Sequence, residues 1–156
     1  MRNKRRSPVL YIIVAILLAI FFFLPDQSGN PGIPVTPTPD KDGYYYSYED
    51  VTDYLIEYST LPPNYITKAE ARELGWESNK GNLWDVADGM VIGGDIFGNR
   101  EGLLPKGEKY IECDINYSGG FRGSDRIVFS ADDGDMYVTF DHYETFDHIG
   151  TFEVVK

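Results

Sequence analysis

The chain has 156 residues, 42% hydrophobic, 15% aromatic and 25% charged, a composition that excludes the collagenous and disordered classes and fits one globular domain. Residues 1 to 43 hold five basic and three acidic groups, whereas residues 44 to 156 hold nine basic and 22 acidic groups, a net charge of −13 that argues against nonspecific attraction to nucleic acid. The single cysteine excludes an intrachain disulfide and a cysteine zinc site.

Arg2, Lys4, Arg5 and Arg6 precede sixteen uncharged residues, Val9 to Leu24, closed by Pro25. As a helix this run spans about 24 Å, slightly short of a hydrocarbon core and long for a signal-peptide core. Residues 1–24 therefore read as an export signal, either a cleaved signal peptide or an uncleaved anchor, with everything after Pro25 outside the cytoplasm. Five prolines and three glycines between Pro25 and Gly43 leave too little apolar surface to fold. Residues 25–43 are predicted to be a disordered linker, with a reach of roughly 60 Å. The folded domain is predicted over residues 44–156.

Val51, Tyr54, Leu55 and Tyr58 recur at i, i+3, i+4 and i+7, which predicts a helix over about 48–58, ended by Leu61-Pro62-Pro63. Thr67-Lys68-Ala69-Glu70 is a capping box and predicts a short second helix stopped at Gly75. A third short helix is expected around Leu83 to Val86. From Val91 onward the runs 91–92, 110–115, 126–129 and 136–140 are β-rich and separated by Gly-rich or Asp-rich turns. Helices followed by strands predict an α+β domain with the helices on one face of a single antiparallel sheet. Strand alternation then sets Glu112 and Asp114 on one face and Ile111, Cys113 and Ile115 on the other.

The sequence holds two histidines, His142 and His148, so a histidine acid or base is one of them. His142 follows the last β-rich run directly, a position open to catalysis or to a plain surface role. Arg122 and Arg126 flank Gly123-Ser124-Asp125 and could grip a phosphate or pair with Asp114 or Asp125. No P-loop is present, and Asp132-Asp133-Gly134-Asp135 lacks the downstream Glu of a calcium loop, which favours a strand-connecting turn.

Several longer runs come in a fixed order: 61–68 (LPPNYITK), 78–83 (SNKGNL), 92–97 (IGGDIF), 99–102 (NREG), 114–117 (DINY), 120–122 (GFR), 124–126 (SDR) and 141–143 (DHY). Over about Tyr48 to Ile149 the chain resembles the barnase-like family of secreted bacterial guanyl-preferring ribonucleases. The resemblance implies an endoribonuclease that cleaves single-stranded RNA after guanosine to a 2′,3′-cyclic phosphate and hydrolyses it in a second step, with no metal or other cofactor. It makes Glu112 the general base and His142 the general acid. Lys68, Arg122 and Arg126 become the cations around the scissile phosphate and Tyr143 a phosphate-side hydroxyl. Phe97, Asn99, Arg100 and Glu101 become the guanine-binding loop. It also implies a monomer, a barstar-like inhibitor protein as partner, and contact with a membrane only through the N-terminal segment. The protein would be secreted, or tethered to the outer face of the cytoplasmic membrane if that segment persists.

The chain departs from the family in a shorter loop over 103–109, an extra residue and a missing tryptophan in the turn 131–135, a tail over 150–156, and its charge. An acidic domain should attract RNA weakly at long range, and its charge works against tight, fast association with an acidic inhibitor. The charge and the anchor-like N-terminus leave a second reading, a catalytically weak, envelope-tethered RNA- or ligand-binding domain on the same fold.

Overall fold

The computed structural model describes residues 37–154, so the hydrophobic run Val9 to Leu24 and most of the predicted linker lie outside the described residues. No helix among the described residues is long and apolar enough to cross a membrane. Three helices, α1 (Tyr48–Tyr58), α2 (Lys68–Glu73) and α3 (Leu83–Val86), accompany six strands, β1 (Tyr65–Ile66), β2 (Val91–Phe97), β3 (Tyr110–Asp114), β4 (Arg126–Ser130), β5 (Asp135–Thr139) and β6 (Asp147–Thr151). The strands form one sheet in the order β1-β2-β3-β4-β5-β6.

The three helices form where the sequence placed them. Ser47 caps α1 by accepting from the Asp50 amide, and Thr67 and Glu70 complete the capping box of α2 in both directions. Val51 and Leu55 of α1 are fully buried against Cys113, Ile115, Ile127, Met136 and Val138. Burial of each such side chain stabilises the fold by about 1.5 to 3 kcal/mol. Ala71 and Leu83 join α2 and α3 to Trp76, Val91, Ile92 and Tyr117 in a second cluster.

The sheet differs from expectation in three ways. It is antiparallel except for β1, which pairs parallel to β2 through Tyr65↔Val91 and Ile66↔Ile92. The intervening chain carries α2 and α3, the kind of crossover a parallel pair requires. Strand β2 continues past Ile92 to Phe97, because Gly93-Gly94-Asp95 is a bulge and not a turn; Gly94 takes φ +93° there. A β-carbon on Gly93 would lie 2.5 Å from the Tyr65 ring and 2.7 Å from Cys113 Cβ, so glycine permits β1 and β3 to close on β2. The edge strand β6 has a weak, largely exposed pattern and no clear apolar alternation to announce it.

The last residues of the predicted linker are held against the domain. Tyr58, Tyr54 and Tyr45 donate their hydroxyls to the carbonyls of Pro39 (2.6 Å), Lys41 (2.8 Å) and Asp40 (3.0 Å). Satisfied backbone carbonyls and buried aromatic surface offset the entropy of ordering this Pro- and Asp-rich turn.

The tail and the β4–β5 turn close on each other. Gly134 N–H donates to the Ser130 carbonyl at 3.1 Å, and Phe152 N–H donates to the Gly134 carbonyl at 3.1 Å, with the Phe152 ring in the core. The turn carboxylates serve as local acceptors: Asp132 takes the Lys109 amide and Asp133 the Asp135 amide. Gly134 has φ +84°, and an added β-carbon would stand 2.1 Å from the Phe152 carbonyl oxygen. Gly134→Ala is therefore expected to cost about 2 to 4 kcal/mol. Urea unfolding of the full-length protein checks this, and an unchanged midpoint would show that the tail does not clamp the turn.

Candidate active site

Sheet register builds the site. On the face away from α1, Glu112 stands opposite Asp95 on β2 and Val128 on β4, and Val128 stands opposite Tyr137 on β5. The next row along the strands is Asp114, Arg126 and Thr139. Residues directly opposed in an antiparallel ladder share a face, so two rows of chemistry-bearing side chains lie side by side. The face is not purely charged: Tyr110, Val128 and Tyr137 pack with Leu104 in a small apolar cluster, with Phe97, Tyr143 and Phe146 against it.

Glu112 is 7% exposed. Its Oε1 accepts a short charge-assisted hydrogen bond from Lys68 Nζ, and its Oε2 accepts the Tyr143 hydroxyl at 2.7 Å. Burial pushes the Glu112 carboxyl up, but the Lys68 and Tyr143 hydrogen bonds and the Lys68 and Arg122 charges outweigh it and hold the group below the ordinary carboxylate range. The same contact, together with burial as the larger cause, raises the Tyr143 phenol well above its usual value. Lys68 opens α2, its amide donates to Asp95 Oδ2 at 3.0 Å, and its Nζ lies 3.9 Å from the same oxygen.

Asp114, 2% exposed, binds both arginines. Arg122 donates Nε to Oδ2 and Nη2 to Oδ1, each at 2.6 Å. Arg126 brings Nε within 2.8 Å of Oδ1, an ion contact without hydrogen-bond direction, and donates Nη1 to the Asp125 carbonyl at 2.6 Å. Burial alone would lower the Arg122 pKa; pairing with Asp114 raises it above the usual value. The salt-bridge reading and the phosphate reading are compatible for Arg122, whose side chain keeps 20% exposure beside the paired carboxylate, whereas Arg126 is buried.

His142 and Tyr143 form the loop after β5, both left-handed at φ +59° and +73°. Tyr143 ties the acid and base candidates together: its hydroxyl meets Glu112, and its ring centroid lies 5.0 Å from that of His142. The Phe97 ring stacks on Tyr143 at 5.3 Å. Beside them opens a cleft of about 400 Å³ lined by Ile96, Phe97, Gly98, Asn99, Arg100, Glu101 and Glu112. Asn99, at φ +41°, spends its side chain on the loop itself, donating Nδ2 to the Leu104 carbonyl and accepting the Leu104 amide. The exposed Arg100 and Glu101 are thereby presented at the cleft.

A family model described as ribonuclease matches residues 48–150. The ribonuclease of Bacillus intermedius is 43% identical over 156 aligned residues, covering 89% of this chain and 94% of the relative. That of Bacillus pumilus is 42% identical at the same coverage, and that of Heyndrickxia coagulans 54% over 98 residues, covering 62% of this chain and 89% of the relative. The chain belongs to the barnase-like microbial ribonuclease family. The ten site residues that the family resemblance singled out lie on strands β2 to β4, at the start of α2, or in the loops that follow β2, β3 and β5. Three further residues of this family member carry site contacts without having been singled out: Asp95, Thr139 and Asp141. Asp95 follows two glycines just past the β-rich run 91–92, where strand alternation gave no signal. Thr139 and Asp141 show their role only when the loop is folded back on the strand end.

The Glu112 carboxylate gives a signed expectation. Because its folded value is depressed, ionised Glu112 stabilises the fold above the ordinary carboxylate range, and that contribution is lost as pH falls through the lowered value. Lys68→Ala removes one hydrogen bond and one charge and leaves burial opposed by the Tyr143 hydrogen bond and the Arg122 charge. The Glu112 carboxyl should then titrate above its wild-type value, as read by carbon-detected NMR; a value that stays depressed would contradict this account.

Proposed function

We propose that this protein is an exported endoribonuclease that cuts single-stranded RNA after guanosine, and that the residues named above carry the reaction. The observation that supports the reading is a buried, ionised carboxylate, Glu112, bonded to Lys68 and to the hydroxyl of Tyr143, whose ring lies beside the His142 imidazole, with Arg122 and Arg126 paired to Asp114 in the neighbouring row. Glu112 removes the ribose 2′-hydroxyl proton, and the 2′-oxygen attacks phosphorus. The bond from phosphorus to the 5′-oxygen breaks as protonated His142 gives that oxygen its proton. The products are a 2′,3′-cyclic phosphate and a free 5′-hydroxyl. In the second step His142 takes a proton from water, which opens the cyclic phosphate, and Glu112 returns its proton to the 2′-oxygen.

Lys68, Arg122 and Arg126 stabilise the charge that builds on the phosphoryl oxygens. Asp114 holds both guanidiniums in place before substrate arrives, so little reorganisation is needed in the transition state. The cleft along 96–101 suits a flat purine: Phe97 offers an aromatic wall, and Glu101 supplies a carboxylate acceptor for the N1 and N2 hydrogens of guanine. Reading that base edge requires an unpaired nucleotide, and the 2′-hydroxyl requirement excludes DNA.

Export rests on Arg2 to Arg6 and the apolar run Val9 to Leu24. A protein mass from culture medium that lacks the first two to three dozen residues supports secretion; a full-length membrane species supports a tether. Full-length protein is expected to cleave a guanylyl dinucleotide in the presence of chelator. Glu112→Ala and His142→Ala should each lower kcat by about 10² to 10⁴. Unaltered turnover in either variant rules out its assigned role, and RNA binding without turnover by the wild type would favour the binding-domain reading.

A further inference from the structure

The His142 side chain has little support. Its ring is exposed, and its aromatic neighbour among the described residues is Tyr143. Tyr143 by contrast is fixed through its hydroxyl on Glu112 and its stacking on Phe97. The direction of the His142 imidazole therefore comes from its backbone. That backbone is strained, since two consecutive residues with β-carbons occupy the left-handed region. Such a pair persists where neighbouring contacts over-determine it.

Those contacts converge on Asp141. Its Oδ1 accepts the Thr139 hydroxyl at 2.8 Å and the Thr145 amide at 3.0 Å, and its Oδ2 accepts the Thr145 hydroxyl at 2.6 Å. Thr139 Oγ1 in turn accepts the Tyr143 amide at 3.0 Å. Both ends of the loop are thus gathered on one carboxylate. Thr139 is buried and stands in register with Arg126, so the loop is referenced to the row that carries Asp114 and Arg126. Hydrogen bonds, those from Thr145 first, hold the Asp141 carboxyl at about 2, and the clamp stays anionic at any pH where RNA is cut enzymatically.

We propose that Asp141, acting through Thr139 and Thr145, is a positioning residue for the general acid: it fixes the left-handed backbone that aims His142 at the leaving 5′-oxygen without touching substrate. The proposal rests on the reading of His142 as that acid. Its signature is dependence on the leaving group, because an alkoxide needs a proton and a nitrophenolate does not.

The test compares a guanylyl-(3′,5′)-adenosine dinucleotide with guanosine 3′-(4-nitrophenyl phosphate), both attacked by the same 2′-oxygen. In the full-length protein, Asp141→Ala should lower kcat on the dinucleotide by about 10- to 100-fold with KM within about threefold, and leave the nitrophenyl ester within about threefold of wild type. Asp141→Asn, whose carboxamide oxygen still accepts, should recover most of the loss. Thr145→Ala should show a smaller loss with the same selectivity, and it carries the test should Asp141→Ala fail to fold. Equal losses on both esters, or no loss on the dinucleotide, overturn the clamp. With His142→Ala measured alongside, a dinucleotide rate lost there but kept in Asp141→Ala sinks the clamp alone. A normal rate in His142→Ala removes the general-acid reading and the clamp with it.

Discussion

Asp114 sits almost wholly out of water in the middle of the sheet, and two guanidiniums share its carboxylate. An unpaired charge at that depth would be strongly unfavourable, and two unpaired arginines side by side would repel. Together the three groups carry a net positive charge. The arrangement also fixes geometry: Arg126 is anchored by its place opposite Asp114 in the ladder, and Arg122 reaches the same carboxylate from the β3–β4 loop. Positive charge is thus installed next to Glu112 without the two being neutralised by each other. Glu112 can remain an anion because Lys68 and Tyr143 occupy its oxygens.

The distribution of charge is local against global. The folded part carries −13, yet Lys68, Arg122 and Arg126 gather around Glu112 and Asp114. Long-range attraction for a polyanion is weak on such a surface, so affinity must come from short-range contacts inside the groove, where the dielectric is lower and salt screens less.

Burial and exposure are divided along the same lines. The base candidate is deep, doubly hydrogen-bonded and shifted downward in pKa, whereas the acid candidate stands on an exposed loop. The loop's precision comes from backbone hydrogen bonds to Asp141 and Thr139, while the groove's precision comes from the ladder. In the turn 131–135 and the tail the contacts run between Gly134 and Phe152 and join neither Glu112 nor His142.

Local rules were enough for the helices. Caps, proline breaks and the i, i+3, i+4 spacing of Val51, Tyr54 and Leu55 depend on neighbours within four residues, and α1, α2 and α3 formed accordingly. Strand alternation likewise determined that Glu112 and Asp114 share a face. The long ordered runs from Leu61 to Tyr143 determined the family, because many residues in one order cannot recur by accident. The parallel β1–β2 pairing, the bulge that turns Gly93-Gly94-Asp95 into strand, and β6 were decided only by tertiary structure, since each depends on a partner distant in sequence. The same is true of the tyrosine hydroxyls that hold residues 39 to 41, and of the convergence of Thr139, Asp141 and Thr145 on the His142 backbone. A linear pattern records which side chains are available; which lone pair meets which proton is fixed only when the chain has closed upon itself.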